Sequence, residues 1–90
     1  MDIKKGDNLF FVGEDELNPD AKIVYSVDDD GDYVIEETHV NDELEGQGVG
    51  TQLVETMVEF AKQEDKKIVP LCPFAKDVME KDDNMNQLIK

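Results

Sequence analysis

Three glycines, Gly46, Gly48 and Gly50, fall within five residues of the run Leu44-Glu45-Gly46-Gln47-Gly48-Val49-Gly50-Thr51. No other stretch constrains the fold as much. Glycine lets the backbone turn tightly and lets a ligand approach without a Cβ in the way. The longest amphipathic run of the chain follows at once. At about 100° per residue, Val49, Leu53, Val54, Met57, Phe60 and Ala61 share one sector. Thr51, Gln52, Glu55, Glu59, Lys62 and Gln63 take the opposite side. The spacing predicts a helix from about Gly48 to Glu64 lying on a sheet. Its first N–H groups have no partner within the helix, and such an end attracts anions, phosphate above all.

The segments ahead of this turn read as strands. Asn8–Gly13 is a short apolar run closed by glycine. Ala21–Val27 alternates, with Ile23, Tyr25 and Val27 on one side and Lys22, Val24 and Ser26 on the other. Tyr33–Val40 is its antiparallel partner. Between them, Asp30-Gly31 suits a two-residue type I′ turn with positive φ at both positions. The alternation of the third strand falters at Glu36-Glu37, where a bulge or a solvated face would account for it. Lys67–Leu71 is a fourth strand. Pro70 lacks an N–H, so this strand lies at an edge or ends near there. A helix crossover makes it parallel to the third strand. Phe74–Lys81 is a second helix with Pro73 at its first turn, and the polar tail 82–90 docks weakly or frays. The expected class is α+β, in the order β-β-β-α-β-α. It is an antiparallel meander with one added parallel strand, a single domain over residues 1–90.

Charge narrows the partners. The net charge is −14, and all nine basic residues are Lys. Such a field repels nucleic acid and anionic membrane, and attracts cationic amines. It also opposes an anionic ligand, so a phosphate site here needs backbone dipoles and a nearby lysine. Cys72 is the only cysteine, which excludes an internal disulfide and a cysteine-built zinc site. The N-terminal residues show no apolar signal region, and no segment approaches the ~20 apolar residues of a membrane span. A reduced, cytoplasmic setting is the expectation. Ser26, Asp28, Asp30, Gly31 and Glu37 fall at EF-hand loop positions, but with strands on both flanks a hairpin turn explains the same residues. No metal is expected.

The glycine run is not a Walker loop, for no Gly-Lys-Ser/Thr follows. A dinucleotide fingerprint belongs after the first strand of a βαβ unit, and here antiparallel strands come first. Leu44–Thr51 instead resembles the acetyl-CoA signature of the GNAT superfamily of N-acetyltransferases. Pro70-Leu71-Cys72-Pro73-Phe74 resembles a second signature, found in short single-domain members. The resemblance spans about Ala21 to Lys81. It implies a diphosphate of acetyl-CoA held by the amides of Gly46, Gln47, Gly48, Val49, Gly50 and Thr51. Glu45 would stand at the first position of the signature. Backbone at Thr38–Val40 would pair with the pantetheine arm like an added strand. Cys72 would lie near the acetyl group, and Phe74 and Lys76 near the cofactor.

The implied activity is transfer of the acetyl group to an amine, after the amine loses a proton. The candidate bases are Glu37, His39, the only imidazole, and a bound water. An imidazole can take up and release a proton in such work. Cys72 is open to three readings: nucleophile, thioester contact, or small buried core residue. The chain departs from the family pattern at three points. Glu45 replaces Gln or Arg, Glu37 stands where the small members often carry His, and no tyrosine follows Tyr33 to protonate the leaving thiolate. Two other readings remain: a non-catalytic CoA-binding module, and an acidic interaction domain without a cofactor.

Overall fold

The computed structural model describes residues 2–90. Five strands form one sheet in chain order: β1 Ile3–Lys5, β2 Leu9–Val12, β3 Ala21–Val27, β4 Tyr33–Val40 and β5 Ile68–Pro70. The first four pair antiparallel, and β5 runs parallel to β4. The long helix α1 spans Val49–Gln63, α2 spans Pro73–Glu80 and α3 spans Asp83–Asn86. The α+β class and the meander with one parallel strand are as expected.

Two elements exceed the sequence reading. β1 pairs Ile3 with Val12 and Lys5 with Phe10. Its three residues carry no alternation; Asn8, at φ 63°, makes the turn that brings them back. The tail is built into the fold rather than loose. Asp82 caps α3, its side chain accepting from the amides of Asn84 and Met85, as a helix N-cap should. Met85 is buried, and Ile89 bridges to Ile68 beside β5.

The hairpin turn also differs. Only Gly31 takes positive φ, at 85°, so this is not a type I′ turn. The Asp28 carboxylate instead accepts from the amides of Asp30 and Asp32, both at 2.9 Å. Its short acceptor competes for these backbone donors and widens the loop. The Lys90 ammonium lies against Asp28, Asp30 and Asp32 at 2.9, 2.7 and 3.1 Å.

One continuous core lies between the sheet and the helices. α1 buries Val49, Leu53, Val54, Met57, Val58 and Ala61 against Phe10, Ala21, Ile23, Tyr25, Tyr33 and Ile35. Each large side chain so buried contributes on the order of 1.5–3 kcal/mol. α2 adds Ala75 and Met79 to the same face. β3–β4 pairing slips by one residue: Tyr25 faces Ile35, whereas Val24 faces Glu37. Glu36 is the extra residue, a bulge at the point where the alternation faltered. Beyond it Thr38 and Val40 lie opposite Ile23 and Ala21, while Glu37 and His39 lie opposite Val24 and Lys22. Thr38 and Val40 therefore share the helix-covered face, and Glu37 and His39 share the other.

Candidate active site

β4 is eight residues long and β5 only three. Pairing between them covers Tyr33–Ile35 and stops. It ends on one carbonyl: the amides of Leu71 and Cys72 both donate to Ile35 O, at 3.0 and 3.2 Å. Pro70 supplies no N–H, and Pro73 starts α2 in the favoured first position, so the chain turns away. The edge of β4 from residue 36 to 40 then has no strand beside it. An extended arm can pair there, as an added strand does.

Facing this free edge is the glycine turn. A 3-10 turn over Asp42–Leu44 leads into it. Gly46 and Gly48 take φ of 80° and 76°, and nothing lies within 4 Å of where a Cβ would stand on either. Both positions demand glycine by conformation, and both leave the turn open to an incoming group. Gly48 caps α1 without any side-chain bond. The first helical bond is Gln52 N–H to Gly48 O at 3.0 Å. The amides of Val49, Gly50 and Thr51 precede it and are left unpaired by the helix. Together with the helix dipole they favour an anion.

The two features open on one cleft of about 520 Å³, within the range of ligand sites. Of the residues singled out in the sequence, Thr38, His39, Val40, Glu45, Gly46, Gly48, Val49, Gly50, Thr51 and Phe74 line it. Asp42 and Leu44 also line it. Nothing in the spacing marked Asp42; Leu44 opens the glycine run, and the 3-10 turn folds both in. Glu37, Gln47, Cys72 and Lys76 are not in its wall. The Gln47 side-chain amide donates back to Glu43 O at 3.2 Å. No lysine lines the cleft, so the local cation expected beside a phosphate is absent from its wall. Asp42 and Glu45 are there instead.

Cys72 lies just behind the wall. It is buried and stands at the N-cap of α2, with Sγ 3.6 Å from Thr38 Oγ1. Burial pushes its thiol up, but the Ala75 and Phe74 amides and Thr38 outweigh this and bring it below the ordinary thiol value. Hydrogen bonds to the charged form have that effect. On the open face, the His39 ring bonds Asn41 Oδ1 through Nε2, at 3.1 Å. His39 reaches the cleft rim, and Glu37 points from the same face.

Fold and cleft together define the class of the acyl-CoA N-acyltransferase folds: a meander, one crossover helix, and a fourth strand freed at its end. The family model for GCN5-related N-acetyltransferases matches residues 10–88. The NMR solution structure of a GCN5-like candidate N-acetyltransferase from Staphylococcus aureus superposes with a TM-score of 0.82, at 42% identity, covering 99% of this chain and 87% of that one. Comparison with curated proteins gives no match. The chain belongs to the GCN5-related N-acetyltransferase family.

Proposed function

We propose that this protein transfers an acetyl group from acetyl-CoA to a cationic amine. One observation carries the reading: an amide-lined turn and an unpaired strand edge open on the same cleft. The family generally uses acetyl-CoA, which supplies an activated thioester carbonyl. The residues fit such a group. Gly46 and Gly48 leave space over the turn, the Val49–Thr51 amides receive the diphosphate, and the edge at Thr38–Val40 holds the arm. The −14 net charge and the exposed Glu36 and Glu37 draw a cationic acceptor to the open face of the sheet. There His39, Glu37 or a water held between them removes the amine proton. Backbone N–H groups on the free edge of β4, beyond its parting from β5, stabilise the developing oxyanion. Cys72, behind the wall, donates to Thr38 in it, and the pair holds the proton that a tyrosine supplies elsewhere in the family.

The test is an acetyl-transfer assay across polyamines and lysine peptides, with calorimetric titration of acetyl-CoA. The expected result is binding together with turnover that falls by about 10²–10⁴ in whichever of Glu37→Gln or His39→Ala removes the base. Turnover unchanged in these and in Cys72→Ala would reject the assigned roles. Binding without turnover would favour the second reading, a CoA-binding module. The lack of any tyrosine after Tyr33 is the specific observation on its side.

A further inference from the structure

We propose that Asn41 positions His39, fixing its ring proton on Nε2 and leaving Nδ1 as the nitrogen that accepts a proton; the use of that atom in catalysis rests on the proposed reading of the cleft. Nε2 of His39 lies 3.1 Å from Asn41 Oδ1. Asn41 follows β4 directly and keeps an extended backbone, with φ −61° and ψ 151°. The pleat therefore runs one residue past the strand, and residues 37, 39 and 41 share the open face. The main chain of Asn41 is held on both sides. Its amide donates to Asp20 O at 2.9 Å, and its carbonyl accepts from the Leu44 amide at 2.9 Å. Asn41 also stands at the N-cap of the 3-10 turn, where an asparagine side chain ordinarily accepts from the amides that follow. It makes no such bond. Its oxygen bonds His39 instead.

An amide oxygen can only accept, so Nε2 carries the hydrogen of this bond. A neutral imidazole holds one ring proton, and its lone pair is then on Nδ1. Two charged neighbours share the face. Lys22, opposite His39 in the register of β3 and β4, is a donor only and cannot compete with Asn41 for the Nε2 proton. Glu37, two residues back, could accept from a neutral ring only in the other tautomer, which Asn41 disfavours. Glu37 is exposed and is left to draw in the ammonium of an acceptor. The proton balance follows. The ammonium gives one proton to Nδ1, its nitrogen keeps the electron pair that attacks the thioester carbonyl, and the ring becomes imidazolium. Nε2–H donates to Asn41 before and after this step, because a neutral amide serves either charge state of the ring. His39 lines the cleft and Asn41 does not, so Asn41 acts through the imidazole.

His39 is the only histidine, so its ring gives one unambiguous pair of nitrogen resonances. Long-range nitrogen–proton correlation spectra of the full chain, recorded at alkaline pH where an imidazole is neutral, read which nitrogen is protonated. The unmodified protein is expected to show hydrogen on Nε2 and a bare Nδ1. Asn41→Leu should move both nitrogens toward averaged positions, the mark of mixed tautomers. Asn41→Asp, which keeps an acceptor in place, should restore the single form. In the acetyl-transfer assay Asn41→Leu should lower kcat about tenfold, with KM for acetyl-CoA changed by less than about twofold, and Asn41→Asp should recover part of the loss. A proton on Nδ1 in the unmodified protein, or ring nitrogens unmoved by Asn41→Leu, would overturn the inference. Turnover indifferent to both Asn41→Leu and His39→Ala would overturn the catalytic use of Nδ1, and with it the reading of His39 as base, while the expected spectra would still support the hold of Asn41 on the ring.

Discussion

At the scale of single residues, chemistry is set by what each side chain is held against. Cys72 alone in sequence is a small apolar residue near the end of a strand. Folded, it stands at a helix start, its thiol donating to Thr38 Oγ1, with the Ala75, Phe74 and Thr38 amides and the Thr38 hydroxyl placed to stabilise the thiolate. The depressed thiol value follows from these donors, since burial by itself acts the other way. Thr38→Val removes one donor and keeps the shape. The thiol value of Cys72 should rise toward that of an ordinary buried cysteine, read from ultraviolet thiolate absorbance across a pH titration. An unmoved value would show that the backbone amides of Ala75, Phe74 and Thr38 carry the whole effect. Glu37 and His39 illustrate the converse. Their spacing placed them on one face, but which face was decided by Glu36, the bulged residue that shifts the register of everything after it.

Among the elements, the tail 82–90 is the one whose sequence says least. Its short helix, the bridge from Ile89 to Ile68, and the Lys90 amide bonded to Ile68 O at 2.8 Å form a strap beside β5. The ion cluster at the hairpin turn fastens it. Lys90 holds Asp28 below its ordinary value of 3.8. The Lys67 amide does most of the same for Asp32, with Lys90 next. Lys90 itself is raised, first by Asp28 and then by Asp30. The signs are then fixed. Depressed carboxyls contribute stability above their unfolded value and lose it as pH falls through the folded value. A raised lysine contributes below its unfolded value and loses it only as pH rises through the elevated folded one. The strap therefore holds across neutral pH and loosens in acid. The Ile89 methyl resonances should move to solvent-exposed positions as pH drops below 3.8. In Lys90→Met they should be shifted already at neutral pH, with the acid transition gone. Because Lys90 and Asp30 are exposed and Asp28 and Asp32 are only half-buried, global stability should change little. A large shift of the unfolding midpoint in the variant would contradict a purely local strap.

For the whole molecule, charge and site act against each other. The net charge is −14, and the cleft itself carries Asp42 and Glu45 with no lysine in its wall. On the proposed reading, an anionic cofactor has only the amide dipoles to draw it into this cleft. Salt screens repulsion beyond about 10 Å at 0.1 M but only beyond about 30 Å at 0.01 M. CoA affinity should therefore rise as salt is added from a low starting point, opposite to a lysine-built site. Glu45→Gln should tighten binding most at low salt, with the difference shrinking as ionic strength increases; calorimetric titration at three salt concentrations reads both effects. Affinity that falls with salt would mean that a mobile lysine such as Lys76 reaches the ligand after all.

The sequence by itself determined what depends on local pattern. α1 follows from its apolar sector, the glycine turn from the spacing of Gly46, Gly48 and Gly50, the meander from alternation, and the bulge from its failure at Glu36-Glu37. Each of these signals lies within one short stretch of chain, where periodicity and backbone preference speak directly. Only the tertiary structure decided the rest. β1 is a strand because β2 pairs with it. Asp42 and Leu44 line the cleft because a 3-10 turn folds them inward. The tail is ordered because Lys90 finds three aspartates some sixty residues away in sequence. Phe74 meets Gly50 because two helix starts converge on β4. Such contacts depend on the chain returning to itself, and no local pattern records where it returns.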